Sequence, residues 1–186
     1  MIRPEQECDH ASIRNLTKAA FSASEFGHNG EAGLVDKIRE AGGAALSLVG
    51  ESHAKIVGHI LFSPLTLQAR RGVVEGVGLG PMSVSPDQQR QGIGGDLIRE
   101  GLNRLKAIEC PFVVVFGHAE YYPRFGFVPA ADMGITHAFE GLPQELLFVN
   151  ILAPTVRDQI ADGVAIYHPA FGPQPIPPIA PDRGVG

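Results

Sequence analysis

The stretch SVSPDQQRQGIGGDLIREGL, residues 83–102, constrains the fold of this chain more than any other segment. It sets Gly92, Gly94 and Gly95 between a polar loop and the clearest helical pattern in the sequence. Glycine weakens a helix by roughly 1 kcal/mol relative to alanine. Three of them at a helix start point to a backbone that something must approach closely. The first N–H groups of a helix have no intrahelical partners, and the helix dipole is positive there. A helix start without side chains is therefore a cradle for a phosphate. Residues 90–95 are the candidates; Arg90 either adds charge or points to solvent. The plain alternative is that the glycines merely permit a tight loop, and the flanking segments decide between the two.

Downstream, Ile93, Leu97, Ile98, Leu102, Leu105 and Ile108 recur at helical spacing, and Pro111 is expected to end the helix. FVVVF, residues 112–116, shows no alternation and reads as a strand covered on both faces. Upstream, MIRP opens as a short strand, and Ile13, Leu16, Ala20 and Phe21 mark a helix over 11–21. The loop SASEFGHNG precedes a second helix over 31–41, closed by Gly42 and Gly43. AALSLVG, KIVGHILFSPL and residues 73–84 read as three successive antiparallel strands, with Arg70 and Arg71 in a solvated hairpin connection. AEYYPRFG reads as a short helix or turn, LLFVNIL as a strand, and GVAIYH as a weaker one. This order predicts an α/β sandwich with a mixed sheet. Residues 1–170 form the expected domain; 171–186 are a Pro/Gly-rich tail, expected to be extended and loosely held.

Composition removes several function classes. The 186 residues are 44% apolar and 19% charged, which describes a globular domain. The formal charge of −5 argues against nucleic acid as a partner. Cys8 and Cys110 lack metal-ligand spacing and read as reduced thiols of a cytoplasmic protein, with Cys110 packing at a helix end. The first ten residues have no signal-peptide core, no apolar run is long enough for a bilayer, and the seven histidines form no HExxH pattern. The expectation is no membrane association and no catalytic metal.

Neither common nucleotide motif fits. A Walker A loop requires Gly-Lys-Ser/Thr, which is absent, and Leu97 stands where a dinucleotide fingerprint needs its third glycine. GVGLG at 76–80 has the wrong spacing. LGPMSVSP leads into the cradle, and its Pro81 is foreign to a regular central strand. A β-bulge in the fourth strand reconciles the two and frees the amides of Met82 and Val84 for strand-like pairing with an extended ligand. A phosphate cradle within ten residues of free amides fits a pyrophosphate carrying a peptide-like arm, as in coenzyme A.

At this point the chain resembles the GNAT superfamily of N-acetyltransferases. Gln89-Arg90-Gln91-Gly92-Ile93-Gly94, preceded by Val84-Ser85-Pro86, is similar to its pyrophosphate motif. Tyr121-Tyr122-Pro123-Arg124-Phe125-Gly126-Phe127 is similar to its second signature. YYPRFGF and the late YHPAFG look most like the YhbS-like bacterial branch. The resemblance covers roughly residues 1–168 and implies a GNAT-like α/β fold: a mixed, mostly antiparallel central sheet flanked by helices.

The resemblance also implies acetyl-CoA as cosubstrate and direct attack by a primary amine in a ternary complex. Met82, Ser83 and Val84 would take the pantetheine arm, and the Met82 amide would polarise the thioester carbonyl. Gln89, Arg90, Gln91, Gly92, Ile93, Gly94 and Gly95 would hold the pyrophosphate. Tyr122 would contact the coenzyme and protonate the departing thiolate. The glutamate of the best-known histone-modifying members falls on Gly78, which leaves Glu75 or a water relay as base. The acceptor is a small-molecule or peptide amine, and a homodimer is compatible with the family. His118 is either a coenzyme contact or a loop histidine, and Tyr121 packs. Tyr167 and His168 either line the acceptor pocket or cap the last strand. Rival readings are a non-catalytic acyl-CoA-binding sensory domain and a nucleotide-binding protein that reuses the glycine loop.

Overall fold

A computed structural model describes residues 1–22 and 30–175. The loop expected at 22–30 lies outside the described residues except for its two ends, as does the tail beyond 175. In chain order the elements are β1 (Ile2–Pro4), α1 (His10–Ser22), α2 (Glu31–Glu40), β2 (Leu46–Ser52), β3 (Lys55–Ala69), β4 (Gly72–Val84) and α3 (Ile93–Ala107). There follow β5 (Phe112–Phe116), β6 (Val128–Pro129), β7 (Thr136–His137), β8 (Leu147–Ile151), α4 (Arg157–Ile160) and β9 (Val164–Tyr167). Two units divide the chain: Met1–Ser63 with Leu79–Ala107, and Pro64–Gly78 with the described part of Ile108–Gly186. β3 and β4 contribute residues to both.

In the first unit β1 pairs antiparallel with β2, Ile2 opposite Gly50, and β2 pairs antiparallel with β3, Leu46 opposite Phe62. The α1 pattern buries Ile13, Leu16, Thr17 and Ala20 on one face, and Ile13 packs with Val35 of α2 and Val49 of β2. Asp9 opens that helical segment: its carboxylate accepts the Gln6 N–H at 2.8 Å and two bonds from the Arg3 guanidinium. α3 buries Leu97, Ile98, Gly101, Leu102 and Leu105. Glycines let it sit close to the sheet: a Cβ on Gly58 of β3 would lie 2.8 Å from Ile93 and 2.9 Å from Leu97, and one on Gly101 2.5 Å from the Phe62 ring. One detail of the sequence reading is corrected here. α3 stops at Ala107, and Ile108 is 70% exposed instead of closing the apolar face.

In the second unit β5 pairs antiparallel with β8 from Phe112 opposite Ile151 to Phe116 opposite Leu147, and β8 carries β6. β9 lies antiparallel on β3, Tyr167 opposite Leu65, and takes β7 in parallel on its other side. The sheet is thus mixed and mostly antiparallel. Phe112, Val113, Val114 and Val115 are all buried, as a strand covered on both faces requires. The core of this unit gathers Leu65, Leu67, Phe112, Val114, Leu147, Val149 and Tyr167 among others. Arg70 and Arg71 form an exposed two-residue turn between β3 and β4. Among the described residues no helix is long and apolar enough to cross a membrane.

Candidate functional site

The glycine segment stands where a helix begins. Gly92 accepts the first intrahelical bond, from Asp96 N–H at 3.0 Å, so it caps α3. Ile93, Gly94 and Gly95 occupy the first turn, whose amides have no partner within the helix. The approach to that turn is bent backward at two points: Arg90 has φ +61° and Gly92 φ +92°, both left-handed. Only the second residue is glycine, so Arg90 holds a conformation that costs an ordinary side chain energy and that collects at ligand sites. The loop is held by its own side chains: Gln89 Nε2 donates to the Val84 carbonyl at 3.2 Å and Gln91 Nε2 to the Asp87 carbonyl at 3.2 Å. The Ser85 hydroxyl donates to Asp87 at 2.5 Å, and that bond is the main reason the Asp87 carboxyl lies below its ordinary value. Gln89 and Arg90 are exposed, as an anion site at the surface requires.

Before this loop, β4 runs as one strand through Pro81, with Gly80 at φ +140°. Backbone groups of consecutive strand residues turn to opposite edges. Ser85 N–H bonds the Val57 carbonyl of β3 at 2.9 Å. Ser83 therefore also faces β3, and Met82 and Val84 turn their amides to the opposite edge. The Ser83 side chain is buried with its hydroxyl 3.3 Å from Thr17 Oγ1 of α1. Of the three strand residues, Met82 and Val84 thus turn their amides away from β3, to the edge on which β5 follows β4 in the sheet, while Ser83 ties the strand to α1.

The second unit holds the tyrosines. Tyr122 opens a single helical turn, Tyr122–Phe125, that ends at Gly126 with φ +85°. Its ring is buried against Phe148, Phe127 and Tyr121, and it enters space that only a glycine leaves: a Cβ on Gly117 would fall 1.9 Å from the ring. Asn150 Nδ2 donates to the Phe125 carbonyl at 2.8 Å and fixes the turn. Burial first, and the Tyr121 phenol second, push the Tyr122 phenol well above its ordinary value, so it stays protonated through neutral pH. Tyr121 packs: Arg124 lies 4.4 Å over its ring. His118 is exposed and lends its carbonyl to the Tyr121 amide at 3.0 Å. Gly117 and Asn150 were not singled out in the sequence, because neither belongs to a motif.

Gly78 has a structural cause. A Cβ there would lie 2.8 Å from Cε1 of Tyr167, whose ring covers the glycine. Tyr167 is 3% exposed, and its hydroxyl is buried without a hydrogen-bond partner among the described residues. Phe116 stacks on the ring at 5.4 Å, and Phe139 and Phe171 lie at 5.5 and 5.1 Å. His137 is buried as well. Its Nδ1 accepts the Phe139 N–H at 3.2 Å, which leaves the ring proton on Nε2. Burial lowers the imidazole below its ordinary value, and the Pro143 carbonyl pulls it weakly the other way. His168 caps the turn after β9, its Nδ1 accepting the Ala170 N–H at 3.2 Å. Glu75 is exposed. Among the described residues no cluster of three or more His, Cys, Asp or Glu could hold a metal ion.

A left-handed loop feeding a glycine-opened helix leaves the first-turn amides of α3 without helical partners, an arrangement that suits an anion, on an α/β scaffold. Comparison with known proteins identifies the scaffold. The family described as "Acetyltransferase (GNAT) domain" matches residues 1–130, and the chain belongs to this family. The uncharacterized N-acetyltransferase YjhQ of Escherichia coli strain K12 is 41% identical over 140 residues, 74% of each chain. Among solved structures, a GNAT family acetyltransferase from Brucella melitensis in complex with acetyl-CoA shares 35% identity at a TM-score of 0.77, covering 92% of this chain and 97% of that one. YhbS from Escherichia coli in complex with CoA shares 30% identity at a TM-score of 0.82, covering 92% and 91%.

Proposed function

We propose that this acetyltransferase moves an acetyl group from acetyl-CoA to a primary amine by direct attack in a ternary complex. The observation that carries the reading is the start of α3, with left-handed Arg90 and Gly92 leading into the unpaired amides of Ile93, Gly94 and Gly95. Those amides, with Gln89, Arg90 and Gln91 around them, take the pyrophosphate. Met82 and Val84 pair with the pantetheine arm through backbone atoms, and Ser83 holds the strand on α1. The departure from regular strand at Gly80 supports the Met82 amide as the donor to the thioester oxygen, a contribution of about 3 kcal/mol when the geometry is right. The CoA-bound neighbours support the same ligand.

In this reaction the amine nitrogen bonds to the thioester carbonyl carbon, and the carbon–sulfur bond breaks. Tyr122 gives its phenolic proton to the departing thiolate. The amine loses one proton to water, and solvent returns one to Tyr122. A water relay serves as base in this reading, because Gly78 offers no side chain and Glu75 is exposed. A free-thiol release assay with acetyl-CoA across a panel of amines tests the proposal. Amine-dependent thiol release is expected, with Tyr122→Phe lowering kcat by about 100-fold at neutral pH. Tight acetyl-CoA binding without amine-dependent release would make the chain a sensory acyl-CoA-binding domain instead. Full turnover in Tyr122→Phe would remove Tyr122 from the acid role.

A further inference from the structure

Within the second unit the side chain missing at Gly78 is replaced by the ring of Tyr167. A buried phenol normally finds a partner, since an unsatisfied polar group in the interior is costly. The Tyr167 hydroxyl has none. It sits in a shell of aromatic rings, with Phe116, Phe139 and Phe171 all half-buried and the Tyr122 phenol near enough to act on it electrostatically. The backbone beneath it is pinned from outside the sheet. Gln174 accepts the Tyr167 N–H at 2.8 Å and donates to its carbonyl at 3.0 Å. His137, a buried polar residue beside it, is clamped the same way by Gln144, at 3.1 Å for each bond. Two glutamine amides thus fix the backbone under two buried polar side chains, the kind of support that pre-organises a binding group.

We infer that Tyr167 is the acceptor-binding residue: its phenol oxygen receives an N–H of the attacking amine, whose apolar or aromatic body lies against Phe116, Phe139 and Phe171. This rests on the proposed reaction and names its substrate class. The side chains forming this wall carry no carboxylate, so nothing in it selects a polycation; an arylalkylamine fits it better than a polyamine.

The test compares wild type with Tyr167→Phe, which keeps the ring over Gly78 and removes only the oxygen. Phenethylamine and spermidine serve as acceptors in the thiol-release assay, and phenethylamine binding to the CoA-saturated protein is followed by calorimetry. For phenethylamine, kcat/KM is expected to fall at least tenfold in the variant and binding to weaken to match. The KM for acetyl-CoA should stay within twofold, and the melting temperature should hold or rise, because no hydrogen bond is lost on folding. Wild type should prefer phenethylamine to spermidine. Unchanged amine kinetics and binding in the variant would overturn the inference. So would a loss that tracks a fall in melting temperature, or a wild type that neither binds nor acetylates phenethylamine. If wild type binds phenethylamine and the variant does not, yet neither releases thiol, the acceptor site stands and the proposed reaction fails.

Discussion

Each unit buries a polar cluster, and the two differ in the group at the centre. In the first unit Glu5 is saturated. Arg39 donates to both of its oxygens at 2.8 and 2.6 Å, Ser47 donates at 2.5 Å, and His59 Nε2 lies 3.4 Å away. Burial pushes the Glu5 carboxyl up, but His59, Arg39 and Ser47 together outweigh it and hold the group ionised far below the ordinary carboxylate range. In the second unit the Tyr167 hydroxyl is buried with no partner among the described residues. The saturated carboxylate of the first unit fixes strands β1, β2 and β3 to α2, although His59 Nδ1 beside it is also buried without a partner. A buried phenol without a partner costs stability, and the amine proposed to bind it offsets that cost. The contrast is between the two central groups, a carboxylate with every partner in place and a phenol with none.

The largest effect should come from breaking the saturated cluster. Arg39→Met leaves a buried carboxylate without its cation, and removing one partner of a buried pair costs about 3 kcal/mol or more. For a chain of this size that is roughly 6–12 °C in melting temperature at pH 7. Adding Glu5→Gln should recover part of the loss, since the stranded charge is then gone. Tyr167→Phe, the matching change in the other cluster, should leave the melting temperature where it is or raise it, because no hydrogen bond is lost. If Arg39→Met and wild type melt together, the Glu5 cluster is not structural and the contrast fails.

A smaller effect tests the seat of Tyr167. Gly78→Ala places a Cβ 2.8 Å from Cε1 of the ring, and the ring cannot yield without disturbing Leu65, whose Cδ1 would lie 3.3 Å from the same Cβ. Overpacking of this kind costs about 1–3 kcal/mol. Unlike Arg39→Met, it should also raise the KM for the acceptor amine while leaving that for acetyl-CoA in place. Steady-state kinetics at a temperature well below both melting points read this directly. A variant that is destabilised but keeps the wild-type amine KM would show Tyr167 to be packing and nothing more.

These two clusters also mark the limit of what is legible in the sequence. Periodicity locates α1, α2, α3 and β5, and the glycines locate the start of α3, because each of these signals is local. The two-residue turn at Arg70 and Arg71 and the helical turn at Tyr122 are local too. Glu5, Arg39, Ser47 and His59 come from four elements or their edges, and each alone reads as a surface or strand residue; only strand register brings them together. Gly58, Gly101 and Gly117 look like ordinary glycines until the side chains of Ile93, Phe62 and Tyr122 are seen filling the space beside them. Gln174 lies in a segment whose composition predicts a loose tail, yet its amide pairs with a strand residue as another strand would. Ile108 misleads in the other direction: it fits the helical spacing, but the helix has already ended. For Tyr167 the sequence leaves a pocket residue and a strand cap equally open, since the observation on which the proposal rests, a buried hydroxyl with no partner among the described residues, exists only after folding.

The smallest effect is a pH dependence that distinguishes the two buried histidines. His59 is fully buried; burial is the main cause holding it below its ordinary value, opposed by the Glu5 carboxylate and reinforced by Arg39 and His10. In the unfolded chain a histidine takes up its proton near pH 6.5. The native protein resists that proton, so the contribution is fully present above about pH 6.5 and is lost as pH falls below it, by at most about 1.4 kcal/mol per pH unit. Glu5 adds a loss of the same sign only below the ordinary carboxylate range, near pH 4.3, so the interval between belongs to the histidines. His137 is depressed by burial as well and contributes with the same sign. The melting temperature of wild type should therefore be lower at pH 5.5 than at pH 7.5, and His59→Gln and His137→Gln should each remove part of that fall. The share removed by His59→Gln should be the larger, because no solvent reaches that ring and its neighbours are fixed by bonds to Glu5. The reverse order would mean that the ring beside the saturated Glu5 carboxylate admits a proton more readily than His137, and the bonds around Glu5 would then not be what keeps His59 neutral.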